Sequence, residues 1–176
     1  MILTLKKDIV YNKSLRIEKK ILFEVIRQYD AVMLHHSLEH MDKQQEVMEK
    51  LYTLLSPEGV LLIRIPIVSG PLMKEYGGNV VSLDPPRHFY IHSAKSIRLI
   101  VEQAGFKIDK EIYDAHEFSF WASEQYKKGI NLHNHPESYL VKKTFSDEQM
   151  AEWQKSIQKL NQSGQSDYIA LYLKKK

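Results

Sequence analysis

Apolar and polar positions in the first half of the chain alternate in a way that predicts a strand, a helix and a second strand. The uninterrupted apolar run Ala31-Val32-Met33-Leu34 is typical of a strand buried on both faces of a parallel sheet. Residues 43–55 then place valine and leucine at helical spacing, and Pro57-Glu58-Gly59 ends this segment. A second apolar run follows over residues 60–67. This order indicates a right-handed βαβ unit.

The second half of the chain contains clear signals for one more helix and two more strands. Ser93 and Gly105 enclose an amphipathic segment, which predicts a capped helix over residues 94–104. Alternating side chains predict strands over residues 106–113 and 167–173. Together with the first half, these elements predict an α/β domain on a mostly parallel sheet.

The segments between these elements lack a clear hydrophobic periodicity. Glycine and proline mark residues 67–92 as a loop, and residues 114–140 are irregular and rich in aromatic side chains. Ser146 then opens a helix that runs to about residue 162, with Gln149 placed to complete a capping box.

The N-terminal region holds only short apolar segments. Residues 2–5, 8–11 and 15–19 each predict a strand, with a turn at residues 11–14. Residues 21–27 fit a strand or a helical turn equally, because periodicity cannot decide over so few positions.

Composition indicates one ordinary globular domain. The chain has 176 residues, 43% of them hydrophobic and 27% charged. It has no cysteine, which excludes disulfide bonds, thiolate metal ligands and a cysteine nucleophile. A formal charge of +3 is too small to imply a nucleic-acid partner. No apolar run is long enough to predict a membrane span, and no signal-peptide pattern is present, so we expect a cytoplasmic protein.

Several short motifs occur in the order and at the spacing of one enzyme family. They are Tyr29-Asp30 with Leu38-Glu39-His40, then Leu54-Leu55-Ser56-Pro57-Glu58-Gly59, then His88 to Ser93 with Ala104-Gly105-Phe106. Together they resemble the segments around the fourth, fifth and sixth strands of class I S-adenosylmethionine-dependent methyltransferases. The resemblance covers residues 29–113, with the strand at residues 167–173 as the expected last member.

The resemblance implies an incomplete Rossmann-like methyltransferase sheet, mostly parallel with its last strand antiparallel, and with helices on its faces. The family holds S-adenosylmethionine on a glycine-rich loop after its first strand, where glycine lets the backbone approach the cofactor closely. The first glycine here is Gly59, so that loop is absent from the residues before the fourth strand. We therefore expect a single, N-terminally truncated domain that binds the cofactor weakly or not at all.

The same comparison divides this domain into four parts. Residues 1–28 are irregular or form short strands, residues 29–113 are the family-like core, residues 114–166 are an insert and a helix, and residues 167–176 are the last strand and tail. Without the family's first strand, the strand from Ala31 to Leu34 would have an open edge that recruits another strand. An N-terminal segment, a second copy of the chain or a methyltransferase partner could fill it.

Histidines after the predicted fourth strand are the first candidates for chemistry. By the resemblance, Leu34, His35 and His36 lie beside the cofactor, at the end of a strand where ligands bind in open α/β sheets. His36 or His88 could act as general base on a hydroxyl acceptor, because imidazole has a pKa near the working pH. The alternative is that one imidazole of the adjacent pair caps the following helix while the other meets solvent.

The loop after the fifth strand would cover the acceptor pocket by the same resemblance. It contributes Asp84, Arg87 and His88 as candidate substrate-binding residues, and the planar fork of Arg87 suits a carboxylate or phosphate. Trp121, from the aromatic segment, could line the pocket as well. The alternatives are that Arg87 pairs with Asp84 to hold a proline-rich turn and that Trp121 belongs to a local core.

A metal site is the less favoured interpretation of the remaining histidines. Related ubiquinone-type O-methyltransferases can hold a divalent metal on a Glu-x-x-Glu-His pattern, and the matching positions here are His36, Glu39 and His40. Because many relatives carry the Leu-Glu-His triplet without metal, we assign no metal ligand. His133 and His135 are interpreted as part of an exposed loop.

Two functions remain open at the level of sequence. One is an S-adenosylmethionine-dependent methyltransferase for a small-molecule acceptor, or the C-terminal part of one, that is inactive as this chain alone. The other is a non-catalytic subunit that completes or regulates a methyltransferase partner. The residues identify neither the acceptor nor the methylated atom.

Overall fold

The computed structural model describes residues 8–68, 70–130, 132 and 144–176. The helices and strands of these ranges are, in chain order, β1 (Ile9–Val10), β2 (Arg16–Ile17), β3 (Tyr29–His35), α1 (Gln44–Leu54), β4 (Leu55–Pro66), α2 (Gly70–Tyr76), α3 (Ala94–Gln103), β5 (Phe106–Tyr113), α4 (Phe118–Lys127), α5 (Asp147–Gln162) and β6 (Tyr168–Lys175). None of the helices in these ranges has both the length and the apolar character that crossing a membrane requires.

The central sheet has four strands in the order β3-β4-β6-β5. β3 and β4 are parallel, with Ala31 opposite Val60 and Leu34 opposite Ile63. β6 lies antiparallel between β4 and β5, so β3, β4 and β5 share one direction. The predicted fold class is confirmed: a mostly parallel α/β sheet whose last strand is antiparallel.

The described residues form three apolar clusters, and the two larger ones contain most of the helix packing. The larger cluster packs α1 and α3 against one face and contains the buried side chains of Leu51, Ile63 and Ile97. The smaller cluster lies between α2, α4 and α5, where the rings of Phe120 and Trp153 stack with centroids 6.4 Å apart. These clusters leave the carboxyl ends of β3 and β4 bordered by loops, which is where polar side chains collect.

Strand β3 is not buried on both faces, and that prediction is wrong. Met33 is 62% exposed and Ala31 is exposed too, whereas Val32 and Leu34 are partly buried against the larger cluster. Among the described residues, β3 pairs only with β4 and therefore lies at the edge of the sheet. An apolar run predicts full burial only when both faces and both flanks are covered.

The predicted N-cap serines mark the observed starts of α3 and α5. α3 begins after Ser93, whose Oγ accepts a hydrogen bond from the N–H of Ser96 at 3.1 Å. α5 begins after Ser146, whose Oγ accepts from the N–H of Gln149 at 3.2 Å. Both predicted N-cap serines are confirmed, because each bond forms within one turn of the same segment. The capping box predicted for Gln149 does not form, because its side chain donates to Glu152 Oε2 at 3.3 Å instead.

Two segments that the sequence analysis treats as irregular contain helices. α2 lies within residues 67–92, and α4 lies within residues 114–140. In α2, Pro71 occupies the first turn, where its missing N–H leaves no helical hydrogen bond unmade. In α4, the buried face includes Ser119 and Ser123, so hydrophobic periodicity does not reveal it.

The N-terminal region forms the predicted hairpin. β1 and β2 are antiparallel, and in the turn between them the N–H groups of Ser14 and Leu15 donate to Asn12 Oδ1. Residues 21–27, where strand and turn were both possible, contain a short 3-10 turn at Leu22–Glu24. The segment predicted as a strand at residues 2–5 lies outside the described residues, as do His133 and His135.

Candidate active site

A cavity of about 220 Å³ opens at the carboxyl ends of β3 and β4. This is where ligands bind in open α/β sheets. Its polar lining consists mainly of His36, Glu39, His40, Asp84, Arg87 and His88. The cavity therefore brings both predicted catalytic histidines, His36 and His88, to one place from distant parts of the chain.

A short 3-10 turn after β3 carries one wall of the cavity. Its carbonyl at Leu38 accepts a hydrogen bond from Gln44 Nε2 at 2.6 Å. Its carbonyl at Glu39 accepts from the N–H of Phe89 at 2.8 Å, which ties the loop carrying His88 to the turn. These bonds explain why residues far apart in sequence hold a defined spacing in the cavity.

Glu39 is a buried carboxylate that the sequence analysis left unassigned. Its side chain is 2% exposed, and neither carboxylate oxygen accepts a hydrogen bond from the described residues. His36 Nδ1 lies 3.5 Å from Glu39 Oε1, at the outer limit of hydrogen-bonding distance. Burying a charge without firm partners is costly, which makes Glu39 a candidate functional group. Its sequence signal was its place in the Leu-Glu-His motif.

His36 is held in the cavity wall by an arginine. Arg64 Nη1 donates to His36 Nε2, and Arg64 Nε also pairs with Asp114 Oδ2 at 2.6 Å. Because arginine only donates, the His36 proton is on Nδ1, on the side of Glu39. The lone pair that a general base needs is thus already engaged, and His36 is placed to orient Glu39.

His40 and His88 share one pattern of hydrogen bonds. Nδ1 of His40 lies 2.9 Å from the carbonyl of Arg87, and Nδ1 of His88 lies 2.9 Å from the carbonyl of Ser82. A carbonyl only accepts, so each ring carries its proton on Nδ1 and keeps the lone pair on Nε2. The two rings meet edge to face at 4.8 Å. Burial lowers the pKa of His88, which favours this neutral form.

Asp84 and Arg87 contact each other and still line the cavity. Arg87 Nη2 donates to Asp84 Oδ1 at 2.5 Å, and Asp84 Oδ2 lies 3.9 Å from His88 Nε2. Trp121 packs edge to face on Phe118 at 4.9 Å, and it is Phe118 that lines the cavity. The substrate-binding roles of Asp84, Arg87, His88 and Trp121 stay predictions.

The predicted cofactor-binding residues point in different directions. Leu34 packs against the larger apolar cluster. His35 follows it on the opposite face of β3 and borders a separate open depression with Asp114 and His116. Only His36, of this set, reaches the cavity.

The described residues before β3 do not form the cofactor cradle of the family. Residues 8–28 contain no glycine, and among the described strands none pairs with the outer edge of β3. The close backbone approach that glycine permits after a first strand therefore has no counterpart in them.

A second buried carboxylate, Asp167, lies next to the cavity and was missed by the sequence analysis. It is fully buried, and Ser119 Oγ donates to its Oδ1 at 2.7 Å. Desolvation raises the pKa of Asp167 to about 6, against the opposing hydrogen bonds from Ser119 and Ser82. Ser82 also supplies the carbonyl that orients His88. Asp167 is thus linked to the cavity wall through Ser119 and Ser82, and the cavity lining does not include it.

Comparison with protein families identifies the class of this chain. A family model described as a methyltransferase domain matches residues 6–111, which is more than half of the 176 residues. The chain belongs to this methyltransferase domain family, and the predicted resemblance to class I methyltransferases is confirmed. None of the curated proteins compared with the chain is a significant match.

Solved structures with a similar fold are longer than this chain. The [4+2]-cyclase SpnF is 19% identical with a TM-score of 0.50, and the match covers 89% of this chain and 55% of that one. The mycolic acid cyclopropane synthase CmaA1, complexed with SAH and CTAB, is 14% identical with a TM-score of 0.50 and coverages of 88% and 58%. A SAM-dependent methyltransferase from Archaeoglobus fulgidus is 21% identical with a TM-score of 0.48 and coverages of 88% and 63%. The chain thus spans little more than half the length of the first two, which support its fold alone.

Proposed function

We propose that this chain forms the acceptor-binding half of an S-adenosylmethionine-dependent methyltransferase for a small molecule. The observation that carries the proposal is the histidine-lined cavity at the carboxyl ends of β3 and β4, in a chain of the methyltransferase domain family. Its volume of about 220 Å³ favours a compact acceptor, since pockets for larger ligands measure ~300–1,000 Å³.

His88 is the residue that we assign as proton acceptor. Its Nδ1–H is engaged by a backbone carbonyl, and its Nε2 lone pair is left for the acceptor hydroxyl. Arg87, which is paired with Asp84 in the cavity lining, is the candidate to orient an anionic group of the acceptor, because its planar fork suits a carboxylate or phosphate. His36 acts as a positioning residue through its contact with Glu39.

Acceptor binding is tested by nuclear magnetic resonance on the full chain. We expect small phenols or hydroxy acids to shift the ring resonances of His88 and His40, and to leave the exposed ring of His116 unchanged. A His88→Gln variant should lose this response while keeping its circular dichroism spectrum. If such compounds shift only resonances outside the cavity, the acceptor assignment is wrong.

S-adenosylmethionine is the cofactor that family membership suggests. Because the residues before β3 lack the glycine cradle, we expect this chain alone to bind the cofactor weakly or not at all and to be inactive alone. Isothermal titration of the folded chain with S-adenosylmethionine checks this. A dissociation constant in the micromolar range would overturn the expectation, and an undetectable or millimolar one supports it.

The second candidate is a non-catalytic subunit that completes or regulates a methyltransferase partner by adding a strand to the sheet. It is favoured by the exposed edge of β3, where Met33 is 62% exposed. Edge strands of this kind pair readily with other strands, and a charge on the edge prevents it. Light scattering should then detect an oligomer that Met33→Lys dissociates and that Val10→Lys, a matched change on the exposed hairpin, does not. A monomer at every concentration counts against self-pairing through this edge.

A further inference from the structure

We propose that the cavity recognises a protonated amino group beside the acceptor hydroxyl, and that Glu39 and His40 bind this ammonium group. The acceptor is then a small amino alcohol or an aminomethyl phenol. The inference rests on the proposed function for the hydroxyl, which stays with Nε2 of His88. The position of the ammonium group depends only on the contacts of Glu39 and His40.

The first argument is the state of the Glu39 carboxylate. Glu39 lines the cavity, its side chain is 2% exposed, and neither oxygen has a hydrogen-bond partner within the described part of the chain. Burying an isolated carboxylate is costly, and a cation bound to it offsets the loss of water. An ammonium group supplies both the positive charge and the N–H donors that these oxygens lack.

The basic side chains around the cavity have partners other than Glu39. Arg87 Nη2 pairs with Asp84 Oδ1 at 2.5 Å. The ring of His36 accepts a hydrogen bond from Arg64 through Nε2 and so is neutral, and its Nδ1–H lies 3.5 Å from Glu39 Oε1. These side chains therefore leave the charge of Glu39 without a cationic partner, and a cationic ligand group complements it.

The second argument is the spacing of the acceptor atoms. His40 donates through Nδ1 to the carbonyl of Arg87, so its Nε2 is an acceptor. One polar side-chain atom from each of Glu39, His40 and His88 lies within 4.8 Å of the other two. Two acceptors on one tetrahedral ammonium nitrogen lie ~4.7 Å apart when each hydrogen bond measures ~2.9 Å. The spacing therefore suits an ammonium group between Glu39 and His40 without any movement of the backbone.

The place of His88 next to this position defines the acceptor class. Its ring meets that of His40 edge to face at 4.8 Å, and its Nδ1 is engaged by the carbonyl of Ser82. When the hydroxyl and ammonium groups of the acceptor are on neighbouring carbon atoms, each reaches its own partner in a cavity of about 220 Å³. An ammonium nitrogen has no lone pair, so the hydroxyl oxygen is the nucleophile in this arrangement.

The test compares three small probes by nuclear magnetic resonance titration of the full chain at neutral pH. The probe ortho-hydroxybenzylamine carries both groups, ortho-hydroxybenzyl alcohol replaces the ammonium with a neutral hydroxyl of similar size, and benzylamine carries the ammonium alone. We expect ortho-hydroxybenzylamine to bind at least ~10-fold more tightly than the alcohol, because hydrogen bonds to a buried charge are stronger than neutral ones. Both amines should shift the ring resonances of His40.

Matched variants locate the ammonium group. Glu39→Gln removes the charge but keeps the size, so it should abolish the preference for the amine while the alcohol binds as before. His40→Phe keeps a ring against His88 and removes the acceptor nitrogen, so it should weaken amine binding by ~3–10-fold. Glu46→Gln makes the same chemical change on the exposed face of α1, where the Glu46 side chain is 56% exposed. This control should keep the wild-type preference.

Circular dichroism establishes that each variant is folded, and His40→Phe serves as the test if Glu39→Gln does not fold. The inference is overturned if neither amine shifts cavity resonances, if the folded Glu39→Gln variant keeps the amine preference, or if Asp84→Asn abolishes that preference and Glu39→Gln does not. Equal binding of amine and alcohol at His88 would leave the proposed function and remove the inference. Benzylamine binding that requires Glu39, with no response to the alcohol, would remove the hydroxyl assignment and leave the ammonium position.

Discussion

The two neighbouring strands β4 and β3 differ in how well their side chains are buried. We call the β4 side of the sheet the closed side and the outer edge of β3 the open side. In β4, the side chains of Leu61, Ile63 and Ile65 are at most 1% exposed. In β3, Val32 and Leu34, which pair with Leu61 and Ile63 on the same face, are only partly buried, and Met33 on the opposite face is 62% exposed. β4 lies between β3 and β6, whereas β3 has only β4 beside it among the described strands. Burial is thus a property of a strand's position in the sheet and not of its own composition.

The candidate site lies at the carboxyl ends of β3 and β4, between the edge strand and the inner strand. Its polar lining includes Glu39, His40 and His88, which are held by hydrogen bonds between the turn after β3 and the loop before α3. The cofactor side of the family's site would lie beyond the open edge of β3. The described residues therefore form an organised polar cavity, and no described strand pairs with the outer edge of β3.

The largest expected effect comes from truncating a buried side chain of β4 and comparing it with an exposed one of β3. Ile63→Ala removes a fully buried side chain of β4 and should lower the free energy of unfolding by about 2–5 kcal/mol. Met33→Ala, on β3, should change it by less than ~0.5 kcal/mol. Urea unfolding of both variants measures the contrast. A cost for Met33→Ala close to that of Ile63→Ala would mean that the edge of β3 is covered in solution.

The next effect concerns ionisation of the Asp167 carboxyl group, which is buried next to the start of β6. Desolvation raises the pKa of Asp167 to about 6, so the folded state binds its proton more tightly than the unfolded chain does. Its contribution to the free energy of unfolding is therefore lost as the pH rises from about 4 to above 6, by up to about 3 kcal/mol. Asp167→Asn stays neutral, so its stability relative to the wild type should increase over that range. Urea unfolding at several pH values tests this, and a difference independent of pH would contradict it.

The smallest effect compares two serine hydroxyls. Ser93 caps α3 on the covered face of the sheet, and Ser93→Ala should cost about 1 kcal/mol of unfolding free energy. Among the described residues, the Ser14 hydroxyl donates to Asn12 Oδ1 in the exposed hairpin, and Ser14→Ala should cost less than ~0.5 kcal/mol. Thermal or urea unfolding distinguishes the two variants. Equal costs would show that the hairpin is as tightly integrated as the helices.

Elements with local signals could be predicted, and those without could not. α3 and α5 follow serine caps, and β5 alternates over residues 106–113, so each signal lies within the element itself. The inner face of α4 instead buries Ser119, Ser123 and Gln125, whose burial depends on partners distant in sequence. No periodicity of apolar residues could indicate that face.

The candidate site likewise contains residues that local motifs predict and contacts that they do not. His36 and His88 were named from motifs, and the structure places both in the cavity. The grouping of Glu39 and His40 with His88 depends on a long-range contact between a turn and a loop, which sequence spacing does not contain. The engagement of His36 by Arg64 is likewise a tertiary contact.

By itself, the sequence determined the family, the order of β3 to β6 with α1, α3 and α5, the N-cap serines and the absence of glycine before the fourth strand, because each depends on neighbouring residues along the chain. Only the tertiary structure decided that β3 is an exposed edge, that Glu39 and Asp167 are buried, and which nitrogen of each cavity histidine carries the proton. Burial and hydrogen-bond partners depend on contacts between segments that are distant in sequence. The free energy of such a contact depends on both segments, so neither segment alone predicts it.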